Sequence, residues 1–199
     1  MVSRKNVSGE APRERIISVA RKLFGAKGFH ATTTNELATE SSVSIGQVYR
    51  LFTSKDDIVL AIVAENSRRR VEQMHAIFDA VERKECSIFE AIKAIAGISL
   101  MRDDGELSFE ILAEACRNPS VADRLEMMTA FYREGIRRLA ALARPDVPSE
   151  ELEAYIDVMM ACFIGLGHRV AIAPNADTES TSIRTACIMM RALGLPYPG

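Results

Sequence analysis

Apolar positions recur along this chain with a helical period almost everywhere, and no stretch alternates as a strand would. Ile16, Ile17, Ala20, Leu23 and Phe24 share one face of a first helix, which Pro12 begins at a position where its missing N–H costs nothing. Gly28 is a natural left-handed stop, with Phe29 folding back behind it. Three N-termini follow, at Thr33-Thr34-Asn35-Glu36, Ser44-Ile45-Gly46-Gln47 and Ser54-Lys55-Asp56-Asp57. In such a box the hydroxyl accepts from the third amide and the later side chain answers the first. Two of these helices are short, joined by Ser41-Ser42-Val43, with Leu37, Ala38, Val43, Val48 and Phe52 as a small core. Those are helix-turn-helix dimensions.

A long helix is predicted over 54–83, with Ile58, Ala61, Ile62, Met74, Ile77 and Phe78 inward. Further helices are expected over 87–102, 106–117, 120–143, 149–172 and 176–193, broken by Arg144-Pro145-Asp146-Val147-Pro148 and Pro174-Asn175. The fold class is all-α: a flexible basic arm over 1–11, a three-helix helix-turn-helix domain over 12–56, and a helical bundle over 57–199. The boundary falls inside a continuous helix.

Composition fits that picture. Hydrophobic residues are 48% and charged ones 26%; there is no Trp, and nine Met outnumber eight Phe, so the core is mostly aliphatic. The longest uncharged run, residues 158–168, is too short to span a bilayer, and residues 1–15 lack an apolar leader, so a cytoplasmic protein without a membrane partner is expected. Cys86, Cys116, Cys162 and Cys187 are scattered, and read as reduced core residues rather than a disulfide framework or zinc site. Charge divides the chain. Residues 1–55 carry nine Lys and Arg against four acids, and the remainder is net acidic. A basic front on an acidic body suggests that the N-terminal part meets a polyanion.

The segment from residue 12 to 63 resembles the DNA-binding domain of the TetR family of transcriptional regulators. The resemblance is carried by Ala20-Arg21-Lys22-Leu23-Phe24, Lys27-Gly28-Phe29, Thr33-Thr34, Leu37-Ala38, and the run Val43-Ser44-Ile45-Gly46-Gln47-Val48-Tyr49-Arg50-Leu51-Phe52-Thr53-Ser54-Lys55. Two positions depart from the family. Ser42 stands where Gly is usual, and a left-handed backbone there costs roughly 1 kcal/mol. Leu51 stands where a phosphate-contacting His is common, so that contact is expected to be lost and Leu51 to pack inward.

The resemblance implies double-stranded DNA as a partner, and the residues agree. The helix opening at Ser44 would enter the major groove, with Ile45 against a thymine methyl and Gly46 allowing close backbone approach. Gln47 has two uses, pairing with adenine or closing its own capping box. Tyr49 is a phosphate contact or a packing residue, and Arg50 a phosphate contact or a solvated charge. Thr33 and Thr34 at one helix start, and Lys55 at another, complete the candidate interface.

The last two helices are apolar on all sides over 158–166 and 186–190, and a terminal helix seldom buries both faces in one small domain. In the resembling family this region forms the homodimer interface, placing Met159, Ala161, Cys162, Gly165, Ile183, Cys187 and Met190 there; simple burial within the monomer is the alternative. Met101, Phe109, Leu112, Met128, Phe131 and Tyr132 are either ordinary core or the lining of a small-molecule effector pocket.

Competing chemistry is thin. Glu72 and His75 have di-iron half-site spacing without a second copy, and Arg68-Arg69-Arg70 reads as a solvated helix face. No catalytic motif, metal site or cofactor is expected. The expected protein is a homodimeric repressor of a palindromic operator, released by an effector; the repressor sign and effector logic come from the resemblance. Its rivals are a helical-bundle enzyme or carrier, and a sequence-independent architectural protein.

Overall fold

A computed structural model describes residues 11–101, 107–173 and 177–197, and every structural statement concerns these. All but the last residue of the expected arm, and the break at Pro174-Asn175, lie outside them. Among the described residues there are nine helices and no strand. They are α1 (Pro12–Lys27), α2 (Thr34–Glu40), α3 (Ile45–Leu51), α4 (Lys55–Glu82), α5 (Ile88–Ser99), α6 (Leu107–Ala115), α7 (Pro119–Ala143), α8 (Ser149–Ile172) and α9 (Thr178–Ala192). No helix among the described residues is long and apolar enough to cross a membrane.

The described parts of Met1–Glu65 and Glu106–Ala122 form one compact unit; those of Asn66–Gly105 and Asp123–Gly199 form another. The division falls inside α4 but later than residue 56, because Ile58, Val59, Ala61, Ile62 and Val63 are all buried core of the first unit. That unit also takes α6, which packs on α1. Its interior is the apolar face of α1 (Ile16, Ile17, Ala20 and Phe24) with Leu37, Ala38, Val48 and Phe52 from α2, α3 and the residue after it.

In the second unit α5 packs against both α8 and α9. Its core joins Met74, Phe78 and Val81 of α4, Ile92 and Ile95 of α5, Ile136 and Leu139 of α7, Ile156 and Phe163 of α8, and Met189 of α9. Carboxylates of α8 lock α7 alongside: Arg137 Nε donates to Glu153 Oε1 at 2.7 Å, and Arg133 bonds Glu153 and Asp157. These bonds hold the Arg133 and Arg137 guanidinium groups further toward their charged form.

Candidate nucleic-acid interface

The turn between α1 and α2 is bonded from both sides. Gly28 ends α1 with φ 88°, a backbone region L side chains rarely adopt, and its N–H donates to Phe24 O at 2.9 Å. Lys55 Nζ donates to Phe29 O at 2.7 Å and Thr32 O at 2.9 Å, reaches His30 O at 3.5 Å, and lies 4.4 Å from the Phe29 ring centre. From α6, Glu110 Oε2 accepts the Phe29 N–H at 2.9 Å, and the buried Glu114 lies 3.4 Å from His30 Nε2. An ammonium has three N–H donors. Those of Lys55 face carbonyls, so the phosphate contact expected of it gives way to a structural role.

The start of α2 is equally closed. Thr33 Oγ1 accepts the Glu36 N–H at 3.2 Å, and Glu36 Oε2 accepts the Thr33 N–H at 2.9 Å. Lys27 Nζ adds a 2.8 Å bond to Glu36. That ammonium first, then the Thr33 amide and hydroxyl, hold the Glu36 carboxyl down at about 2. Thr33 therefore has its hydroxyl inside a cap, and Thr34 is half-buried as the first residue of α2.

The turn into α3 carries Ser42 at φ 54°, the left-handed conformation expected of it, and Val43 N–H donates to Ala38 O at 3.0 Å. Ser44 caps α3, its hydroxyl accepting the Gln47 N–H at 3.1 Å. The answering bond from the Ser44 amide to the Gln47 side chain is not formed, so this box stays half open. Val48 and Phe52 turn inward, and Leu51 is half-buried. Outward stand Ile45 at 41% exposure, Tyr49 at 57%, Arg50, and Gly46, where an added Cβ would meet open space. One short helix thus presents methyls, a phenol and a guanidinium to solvent, with the half-buried Gln47 beside them. Those groups suit base edges and phosphates.

The other sequence candidates divide. Phe109 and Leu112 lie on α6 in the first unit, each partly exposed. Met101, Met128, Phe131 and Tyr132 belong to the second. There Phe131 packs against Tyr132 and His75, with ring centres 5.9 and 4.8 Å apart. Met101 instead lines a cavity of about 450 Å³ with Lys93, Gly97, Leu100, Glu179 and Ser182.

Of the interface candidates, Met159 and Met190, at 3% and 6% exposure, belong to the core of the second unit. Neighbours on a helix are roughly 100° apart, so the outward positions are Val158, Ala161, Ile164 and Gly165 on α8 and Ile183 and Ile188 on α9. Cys162 and Cys187 sit half-buried between these faces. Burial pushes the Cys162 and Cys86 thiols up, away from the reactive thiolate, and Cys116 is exposed rather than core. His75 lies against Phe131, and no group of three or more His, Cys, Asp and Glu among the described residues is placed to hold a metal.

Two features escaped the sequence reading. Glu110 and Glu114 clamp the α1–α2 turn from far along the chain, and nothing local signals that. Arg70, read as solvated, is half-buried and reaches Ile98 O on α5 at 3.3 Å. Its signal was available, since Asn66, Ser67 and Arg70 interrupt an apolar stripe running from Val63 to Met74.

The family model of bacterial regulatory proteins, tetR family, matches residues 16–62, from α1 to the first turns of α4. The transcriptional regulator UidR of Escherichia coli K12 is 25% identical over 141 residues, covering 69% of this chain and 70% of its own. The transcriptional repressor AcnR of Corynebacterium efficiens is 25% identical over 184 residues, covering 88% and 90%. Among solved structures, the regulator FadR of Bacillus subtilis in complex with stearoyl-CoA shares the fold, with a TM-score of 0.70 over 88% of this chain and 96% of its own at 14% identity.

Proposed function

Because the chain belongs to the TetR family of transcriptional regulators, we propose that it is a ligand-responsive repressor: a homodimer that binds a palindromic operator and releases it when a small molecule occupies the second unit. It is not an enzyme. The observation that carries the reading is the outer face of α3, where Ile45, Gly46, Tyr49 and Arg50 are exposed and the side chain of the half-buried Gln47 leaves its capping box open. In this role Gln47 and Ile45 meet base edges, and Tyr49 and Arg50 meet phosphates, with Thr34 and the Ser44 cap beside them. AcnR is named a repressor, and FadR holds stearoyl-CoA; both support the same two roles here. Such a regulator works in the cytoplasm, with its DNA.

Dimerisation is supported by the apolar outward face of α8 and α9, where Val158 is 64% exposed and Ile188 also 64%. Ala161 and Gly165, small and exposed, let a second copy's helix approach closely. Two symmetric recognition helices then demand a palindrome.

Selection from random duplexes should yield an inverted repeat bound by the dimer. Gly165→Leu adds bulk where a Cβ meets open space in the protomer, so the fold is kept while the partner is overpacked by about 1–3 kcal/mol on each side. Sedimentation should show monomer on dilution, with palindrome binding lost disproportionately and helical circular dichroism unchanged. An unaltered dimer, or wild-type protein already monomeric at micromolar concentration, overturns this interface.

A further inference from the structure

The inner stripe of α4 turns polar where it enters the second unit. Asn66 and Ser67 are buried, and Arg70 follows before the apolar stripe resumes at Met74, Phe78 and Val81. Polar groups at core positions cost stability unless something bonds them. Arg70 donates one long bond, 3.3 Å to Ile98 O, and among the described residues no carboxylate pairs with it. Arg133, Arg137, Arg138 and Arg144 of the same unit all hold acids.

On α7, the Tyr132 hydroxyl is fully buried and has no hydrogen-bond partner, alone in this among the buried side-chain polar atoms of the described residues. Burial pushes the phenol up to about 12, so it stays a protonated donor, and Arg70 is near enough for its charge to act in the opposite sense. The two helix faces meet one turn away: Ser67, three residues before Arg70, has its hydroxyl 3.4 Å from the thioether of Met128, four residues before Tyr132.

We propose that this interior binds a small molecule bearing a single carboxylate, which accepts hydrogen bonds from the Arg70 guanidinium and the Tyr132 hydroxyl. The proposal rests on the ligand-responsive reading above and names its ligand class. A guanidinium is a fork of donors matched to a carboxylate, and an ionised carboxylate only accepts. One arginine compensates one charge; a phosphate monoester dianion would leave a second charge buried. Beside these donors Met128 and Phe131 offer an adaptable apolar surface, so the carboxylate should ride on an apolar body.

Thermal unfolding with octanoate and 3-phenylpropionate, against octanamide and 3-phenylpropionamide, tests this. At least one acid should raise the Tm while its neutral amide does not. Arg70→Gln, compared with its own ligand-free Tm, should lose that rise. Tyr132→Phe should reduce it, while the ligand-free Tm climbs by about 2–4 °C because an unbonded buried hydroxyl has been removed. Equal response to acid and amide, no response to either acid, or a fall in ligand-free Tm for Tyr132→Phe each overturn the proposal. Operator release separates this from the reading beneath it. If an uncharged small molecule releases the selected operator while neither acid binds, the carboxylate site falls and the ligand-responsive repressor stands.

Discussion

At the start of α2, Glu36 reaches back to the Thr33 amide while Thr33 holds the Glu36 amide, and Lys27 braces the carboxylate from α1. At the start of α3, Ser44 holds the Gln47 amide and nothing comes back. Both begin with a hydroxyl residue and, three places on, a side chain able to complete the box. The difference is which groups have been left out of the domain's own bonding. A carboxylate is drawn by every nearby donor, whereas a neutral carboxamide gains less, and the half-buried Gln47 side chain leaves the return bond unmade. The cap of α2 is closed and that of α3, the proposed reading helix, is half open. In a domain that docks on DNA, unused polar capacity on an exposed helix supports the proposed contact face.

The largest expected effect lies on the closed side. Lys55→Met removes the ammonium that joins Phe29 O and Thr32 O while keeping much of the apolar stem over the Phe29 ring. Losing charged bonds to two carbonyls of a part-buried turn should cost about 2–4 kcal/mol, seen as a Tm several degrees lower. The slope of log K for DNA against log salt should stay unchanged at temperatures where the domain is folded. A slope smaller by roughly 1, with little loss of Tm, would return Lys55 to the phosphates.

Gln47→Ala probes the open side. Because no internal bond is lost, the Tm should hold within about 0.5 kcal/mol of stability. Preference at one base pair of the selected operator should relax by about 1–3 kcal/mol, measured by competition with single-substituted duplexes. An unchanged ranking together with a lower Tm would mean that the carboxamide serves its own helix, and the contrast between α2 and α3 would collapse.

How far the sequence revealed this depends on the range of the interactions involved. Helix spans and caps are local, so α8 forms over the predicted 149–172, and the short α2 and α3 start where Thr33 and Ser44 announce them. Ser42 stands where the resembling family usually has Gly, which pointed to the left-handed region it occupies at φ 54°. What failed was phase and distance. A helix apolar on every side gives no clue to which side faces in, which is why Met159 and Met190 were expected outward and Val158 and Ile188 proved to be the exposed neighbours. Lys55 looks the same in sequence whether it meets a phosphate or a carbonyl, since its partners lie more than twenty residues away. Among three consecutive arginines, only the interrupted stripe before Arg70 says that one of them turns inward.

The smallest effect is a pH dependence, and it sharpens the comparison because α3 has no counterpart to it. The Glu36 carboxyl titrates near about 2 in the folded protein, lowered from 4.5 first by Lys27 and then by the Thr33 amide and hydroxyl. A carboxyl whose folded value lies below its unfolded one favours the folded state wherever it is ionised in both. That contribution is complete above 4.5, and it is lost as the pH falls from there toward about 2, where the folded carboxylate also takes up its proton. The group is solvent-exposed, so screening keeps the effect modest, and added salt should shrink it further. Thermal unfolding of the wild type and Glu36→Gln across this window should show the two Tm values drawing together as the pH falls. Curves that stay parallel would mean that the Lys27–Glu36 contact contributes nothing in solution. The cap at α2 would then rest on the Thr33 hydroxyl alone, as the cap at α3 rests on Ser44.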